Sequence, residues 1–350
     1  MSIEAVQAAV NCLPWHSAVA EMGLAHVPLA EIAQDDLERD LARRAAAGER
    51  LLLLGPRGSG KSSAVAAALG PLADLPENLV VIHIPILVAT ASILTEPLEF
   101  CQYLLGQVEQ WAAPTGMLSD RDLRLLQAAA ADDVVVTRGG QGLHLGVGVP
   151  LNAVRPEVGA DLRSRVTQIR SSLNGPTLAA SFDAMLRAFG GLDMSPFFCF
   201  DDADQWTALD GRPDSLVAEP FFRRVIGWLA RNAMVGFLVS VRDDYRALPG
   251  YHEAVDLMTE LHIPPLHDPP AALDRIITRR FELEELSSTS ADVFAADAIM
   301  LLAEAYEDAR DLRRTLKLAS FAIHSAADRG ADLVGSADIT AARRVLAAGG

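Results

Sequence analysis

The stretch GPRGSGKS at residues 55–62 combines glycine, lysine and serine in a spacing that suits the binding of phosphate. It fits G-x-x-x-x-G-K-[ST] in full. Gly55, Gly58 and Gly60 let the backbone curl so that successive N–H groups point inward, through Pro56, Arg57 and Ser59. Those groups and the start of a following helix attract phosphate oxygens. Lys61 would reach the β- and γ-phosphates, Ser62 would offer its hydroxyl to Mg²⁺, and Ser63 completes the loop. The lysine is informative because the chain writes nearly all its positive charge as arginine: Lys61 and Lys317 are its two lysines among 30 basic residues. The loop needs a slim, mobile point charge, and the planar, forked guanidinium is a poor substitute. A glycine-rich turn without a ligand is the bland alternative, and it leaves the match of pattern and context unexplained. There is no N-K-x-D element to read guanine, so ATP is the expected nucleotide.

A second acidic element lies downstream. FFCFDDADQW (197–206) is an apolar run ending in two aspartates. Asp201 would hold Mg²⁺ through water, and Asp202 would orient or activate the attacking water. A solvated acidic loop is the alternative. Trp206 reads better as a cover for the sheet edge than as a nucleotide contact.

The elements that position these residues follow from short apolar runs. LLLL (51–54), LVVIHI (79–84), FFCF (197–200) and MVGFLVSV (234–241) read as buried strands, and ELHIPPL (260–266) as a last short one. Helical spacing runs from Leu29 to Ala47, with Asp35 or Asp36 as cap and Gly48 as stop, and again over SSAVAAAL after the phosphate loop. Helix is also expected at 96–130, 157–188 and 221–233, and nearly everywhere after Pro270, with breaks near 287–290, 308 and 329–336. Strands alternating with helices imply a parallel sheet covered on both faces, followed by a small helical domain. The expected fold is thus an α/β P-loop NTPase sheet with an all-helical lid. Its divisions are a lead-in at 1–28, a core at 29–267 with an insert at 86–190, and a lid at 268–350. Within the insert, residues 134–149 alternate around Gly-Gly as a β-hairpin.

Composition narrows the function classes. The formal charge of −16 does not favour nucleic acid, though it leaves room for a local basic patch. Cys12, Cys101 and Cys199 form neither a disulfide framework nor a metal quartet. No apolar run is long enough for a membrane span, and the N-terminus carries an acid where a signal peptide is basic, so a cytoplasmic protein is expected.

With these motifs in place, the sequence resembles the AAA+ superfamily, and most of all its STAND-like and origin-recognition-like branches. The resemblance covers roughly residues 30–347, and rests on Walker A (55–62), Walker B (197–202), a sensor strand and a helical tail. It implies that Ser240, in FLVSVRDDY (237–245), contacts the γ-phosphate and that Arg242 senses it from within the chain. A salt bridge from Arg242 to Asp243, Asp244 or a Walker B acid is the alternative. In the lid, EDARDLRRTLKLASFA (307–322) is similar to the sensor 2 segment, with Arg310 at the matching position and Arg313 and Arg314 close by.

The segment 247–266, where ring-forming relatives carry a trans arginine finger, has no Arg or Lys; Arg223, Arg224 and Arg231 lie upstream. The origin-recognition branch has a winged-helix domain after the lid, and here the chain ends at Gly350. The resemblance implies a slow, Mg²⁺-dependent ATPase that acts as a conformational or assembly switch for a protein partner or for self-assembly. A DNA-associated oligomeric ATPase, of loader or transposition type, is the second reading. A module holding ATP as a structural ligand is the third.

Overall fold

The computed structural model describes residues 25–70, 73–84, 91–112, 193–209, 212–286 and 288–348, with Leu186 and Phe189. The expected hairpin at 134–149, residues 113–130 of the helix expected at 96–130, and all but Leu186 of the helix expected at 157–188 lie outside the described residues, as does most of the lead-in.

The five apolar runs all become strands of one parallel sheet. They are β1 (Arg50–Leu54), β2 (Leu79–His83), β3 (Ser195–Phe200), β6 (Gly236–Val241) and β7 (Thr259–His262). A two-stranded ribbon, β4 (Ala208–Leu209) with β5 (Arg212–Pro213), is separate from it. The sheet order is β2-β3-β6-β1-β7. Register runs in parallel from Leu79↔Ser195 to His83↔Cys199 and from Phe197↔Gly236 to Phe200↔Val239. Leu51 to Leu54 and all six residues of β6 are buried, as expected of strands covered on both faces.

In chain order the helices are α1 (Leu29–Ile32), α2 (Leu37–Ala46), α3 (Lys61–Leu69), α4 (Ala91–Thr95), α5 (Pro97–Ala112), α6 (Asp204–Thr207), α7 (Ser215–Pro220), α8 (Gly227–Asn232) and α9 (Pro249–Val255). The tail adds α10 (Pro269–Leu283), α11 (Ser290–Val293), α12 (Ala296–Ala309), α13 (Leu312–Asp328) and α14 (Ser336–Ala348). The single helix expected over 221–233 is a π-helical turn, Phe221–Ile226, running into α8. Pro220 lacks an N–H and crowds the preceding turn, and the wider π turn follows it directly. No helix among the described residues is long and apolar enough to cross a membrane.

The chain divides into two compact units: residues 1–43, 53–74 and 261–350 in one, and 44–52 and 75–260 in the other. In the first, Leu273, Ile277, Phe281, Leu302, Ala319 and Ile339 are fully buried among the helices. Buried Asp338, at the start of α14, accepts from Arg329 at 2.6 Å and from the Gly335 N–H at 2.9 Å. The second unit is built on aromatic rings. Phe222 sits edge-on to Phe221 (5.5 Å), Tyr251 (5.6 Å) and Tyr245 (5.9 Å). Trp206 packs edge-on against Phe200 of the inner strand β3 and against Phe221, joining this aromatic cluster.

Candidate functional site

The first cluster lies in the unit that contains the phosphate loop. The loop leaves the buried end of β1 and enters α3 through Gly60, whose φ of 99° is left-handed. Gly58 has φ 71°. Both conformations suit glycine and strain other residues. A Cβ on Gly55 would lie 2.8 Å from Ser59 Oγ and 3.1 Å from Ile263 Cβ, so the loop also needs glycine there for space.

Lys61 is the first residue of α3 and is only 6% exposed. Its ammonium donates to the carbonyls of Gly55 (2.9 Å) and Pro56 (3.1 Å). The first turn of α3 carries no acid. A cation at a helix N-terminus is disfavoured by the macrodipole, so helix stability does not explain the lysine. Ser59 Oγ is a buried polar atom with no hydrogen-bond partner among the described residues. Buried hydroxyls ordinarily find a partner, and a phosphate oxygen would supply one. Ser62 and Ser63 follow on α3 and are partly exposed, and Arg57 is exposed.

The helical tail touches this loop. The Arg313 N–H donates to the Gly58 carbonyl at 3.2 Å. A Cβ on Gly58 would meet Asp311 Oδ1 at 2.0 Å and Arg313 Cβ at 3.0 Å. Asp311 is the N-cap of α13, accepting from the Arg314 N–H at 2.9 Å. Arg310 is exposed and ends α12 as its C-cap, with φ 50°. The sequence places it at a helix start. The structure puts that start two residues later, because Asp311 caps α13. The lid arginine whose backbone meets the phosphate loop is Arg313.

The second cluster lies in the other unit, at the ends of β3 and β6. Ser240 is fully buried on β6. Its hydroxyl donates to Asp201 Oδ1 and accepts from the Asp202 N–H at 2.8 Å. The Ser240 carbonyl accepts from the Ala203 N–H at 3.0 Å. Asp202 takes φ 53°, a conformation that aspartate tolerates better than most residues. Its Oδ2 accepts from Gln205 Nε2 at 2.9 Å. One serine thereby fixes the turn that carries both acids.

Arg242 is 9% exposed and forks onto Asp244, with Nη2 at 2.9 Å and Nε at 3.2 Å. Asp204 Oδ2 lies 3.5 Å from its Nε, and its guanidinium stands 5.9 Å from the Tyr245 ring centroid. The salt-bridge alternative weighed for Arg242 is therefore realised in this structure. Burial pushes the Tyr245 phenol up to about 12, so it stays neutral near pH 7. Its oxygen lies 2.7 Å from the Thr207 hydroxyl.

Sequence reasoning missed Ser240 as a clamp on Asp201 and Asp202, and Asp204 as a partner of Arg242. The spacing D-D-A-D is the visible signal for Asp204. Of the upstream arginines, Arg223 pairs with Glu219 and Glu253, and Arg224 with Glu96. Cys199 on β3 is buried, and burial and then the Asp201 charge push its thiol well above the usual range, which leaves it inert.

No protein-family profile matches the chain, and no curated protein matches it. Among solved structures it is similar to the Orc1 protein of Aeropyrum pernix in complex with DNA (16% identity, TM-score 0.44, covering 92% of this chain and 66% of that one). It is also similar to Drosophila ORC bound to DNA (14% identity, TM-score 0.47, covering 97% of this chain and 65% of that one). The chain thus spans just under two thirds of either structure's length.

Proposed function

We propose that this protein binds ATP with Mg²⁺ and hydrolyses it slowly as an AAA+/STAND-like switch. The observation that carries the reading is the phosphate loop: two left-handed glycines, a buried lysine at the first position of α3, and an orphaned serine hydroxyl in one eight-residue turn. Backbone N–H groups from Gly58 to Ser62 and the start of α3 would take the phosphate oxygens. Lys61 would turn from the Gly55 and Pro56 carbonyls to the β- and γ-phosphates.

Ser62 and Asp201 offer hard oxygen ligands of the kind Mg²⁺ takes alongside phosphate oxygens, and the bound ion would neutralise phosphate charge. Ser240 holds the Asp201 carboxylate in one orientation. Asp202 is the candidate to orient water, and Gln205 on its Oδ2 steadies it. Aspartate is one methylene shorter than the glutamate of many relatives, which suits a slow enzyme. Arg242 would sense the γ-phosphate by exchanging Asp244 for it. In the lid, Arg313 is better supported than Arg310 as the arginine that responds to nucleotide, because its backbone already rests on Gly58. The output would be assembly with a protein partner or a second copy.

Calorimetric titration with ATP and phosphate release test the reading. Wild type should bind and turn over, Lys61→Ala should lose affinity at least tenfold, and Asp202→Asn should bind but release phosphate at background. Equal release by wild type and Asp202→Asn would leave a nucleotide-binding module without hydrolysis.

A further inference from the structure

The phosphate loop, an anion site by construction, has a carboxylate packed against its apex. Asp311 Oδ1 occupies the space that a Cβ on Gly58 would need, 2.0 Å from that position. Beside it, the Arg313 N–H is hydrogen-bonded to the Gly58 carbonyl. Gly58 is thus held on two sides by the first residues of α13. Capping alone does not require this placement: an N-cap oxygen need only reach the Arg314 N–H, which Asp311 Oδ1 does at 2.9 Å. An asparagine or serine would cap as well without charge.

We propose that Asp311 is an autoinhibitory group. With α13 docked on Gly58, its carboxylate sets a negative charge against the loop and lowers nucleotide affinity, and a bound nucleotide drives the start of α13 off the loop. The inference rests on the nucleotide reading above and adds its regulation. Asp311 is partly exposed, and like charges about 4 Å apart in water-like surroundings repel strongly enough to shift an equilibrium about fivefold. The exposed Arg313 and Arg314 in the first turn of α13, and Arg310 at the end of α12, remain when the acid is removed and add to the effect. Release of α13 by nucleotide would change what these arginines meet, which is how occupancy would be transmitted to the lid.

The test uses the full chain. Calorimetric titration with ATP and with ADP at low and high salt compares wild type, Asp311→Asn and Lys61→Ala. Asp311→Asn keeps a capping oxygen and removes the charge. Its affinity should rise about threefold to tenfold at low salt, with the gain shrinking at high salt. An unchanged or weaker affinity in Asp311→Asn, while wild type binds, overturns the proposal and leaves the nucleotide reading standing. Absence of binding by wild type overturns the nucleotide reading and the latch with it. Hydrogen exchange on wild type gives a readout independent of any variant. The Arg313 amide should be protected without nucleotide and lose protection when ATP is added, and retained or increased protection overturns the latch.

Discussion

Replacing Ser240 by alanine removes one oxygen and should reach both stability and chemistry. The hydroxyl makes two hydrogen bonds, to the Asp201 carboxylate and from the Asp202 N–H. A hydrogen bond to a charged group contributes about 1.5–3 kcal/mol, and a buried N–H left without its partner costs about 1–3 kcal/mol. Asp201 and Asp202 are only partly buried, so water recovers part of the loss. The expected net destabilisation is about 2–3 kcal/mol, read as a lower midpoint in urea with an unchanged slope. In function, loss of a group that orients a metal-bound carboxylate costs about 10–100-fold in metal affinity or activity. The Mg²⁺ concentration needed for half-maximal phosphate release should rise by that factor. A double-mutant cycle with Asp201→Ala separates routes: if Ser240 acts through Asp201, the two losses in activity will not add. A stability loss under about 0.5 kcal/mol, at the level of an ordinary surface change, together with an unchanged Mg²⁺ requirement, would refute the clamp.

Two further outcomes are expected. Gly58→Ala forces a side chain into a left-handed backbone and into Asp311, and should destabilise the protein by about 2 kcal/mol or more in thermal or urea melts; neutrality would mean that α13 does not rest on the loop. Burial alone would raise the Asp338 carboxyl, but its bonds to Arg329, Gly335 and Ser325 outweigh that and hold it below the ordinary value. Its folded pKa is depressed, so its contribution is full above the unfolded value of about 4 and is lost as pH falls through the folded one. Stability should therefore fall below about pH 4, and Asp338→Asn should lower stability at pH 7 while flattening that acid limb. An acid limb identical to wild type in the variant would exclude this role.

Four strands were legible because each holds a short apolar run, and a strand buried on both faces needs little else; β7, Thr259–His262, is half-buried at the end of the sheet order, and the sequence placed it only approximately, at 260–266. The loop at 55–62 was legible because its glycine spacing matches a pattern, and Gly58 and Gly60 take the positive φ that glycine adopts without strain. The π turn after Pro220 was not, since proline signals disruption without saying whether the helix breaks or widens. Arg310 illustrates a boundary shift of two residues: it is the C-cap of α12, and α13 begins after it. The cap at Asp311 decides where α13 begins, and Asp before an apolar-periodic run was available as a start signal. Ser240 was found as a residue but not for what it touches. Its partners lie 38 and 39 residues away in sequence, across the β3–β6 pairing, and no local pattern encodes such a contact.

The measurement that bears most directly on the account is calorimetric titration of the full chain with ATP in the presence of Mg²⁺, wild type beside Lys61→Ala. The account expects saturable binding of one ATP by wild type and at least a tenfold loss in the variant. No heat of binding with wild type, or equal affinity in both proteins, would contradict it.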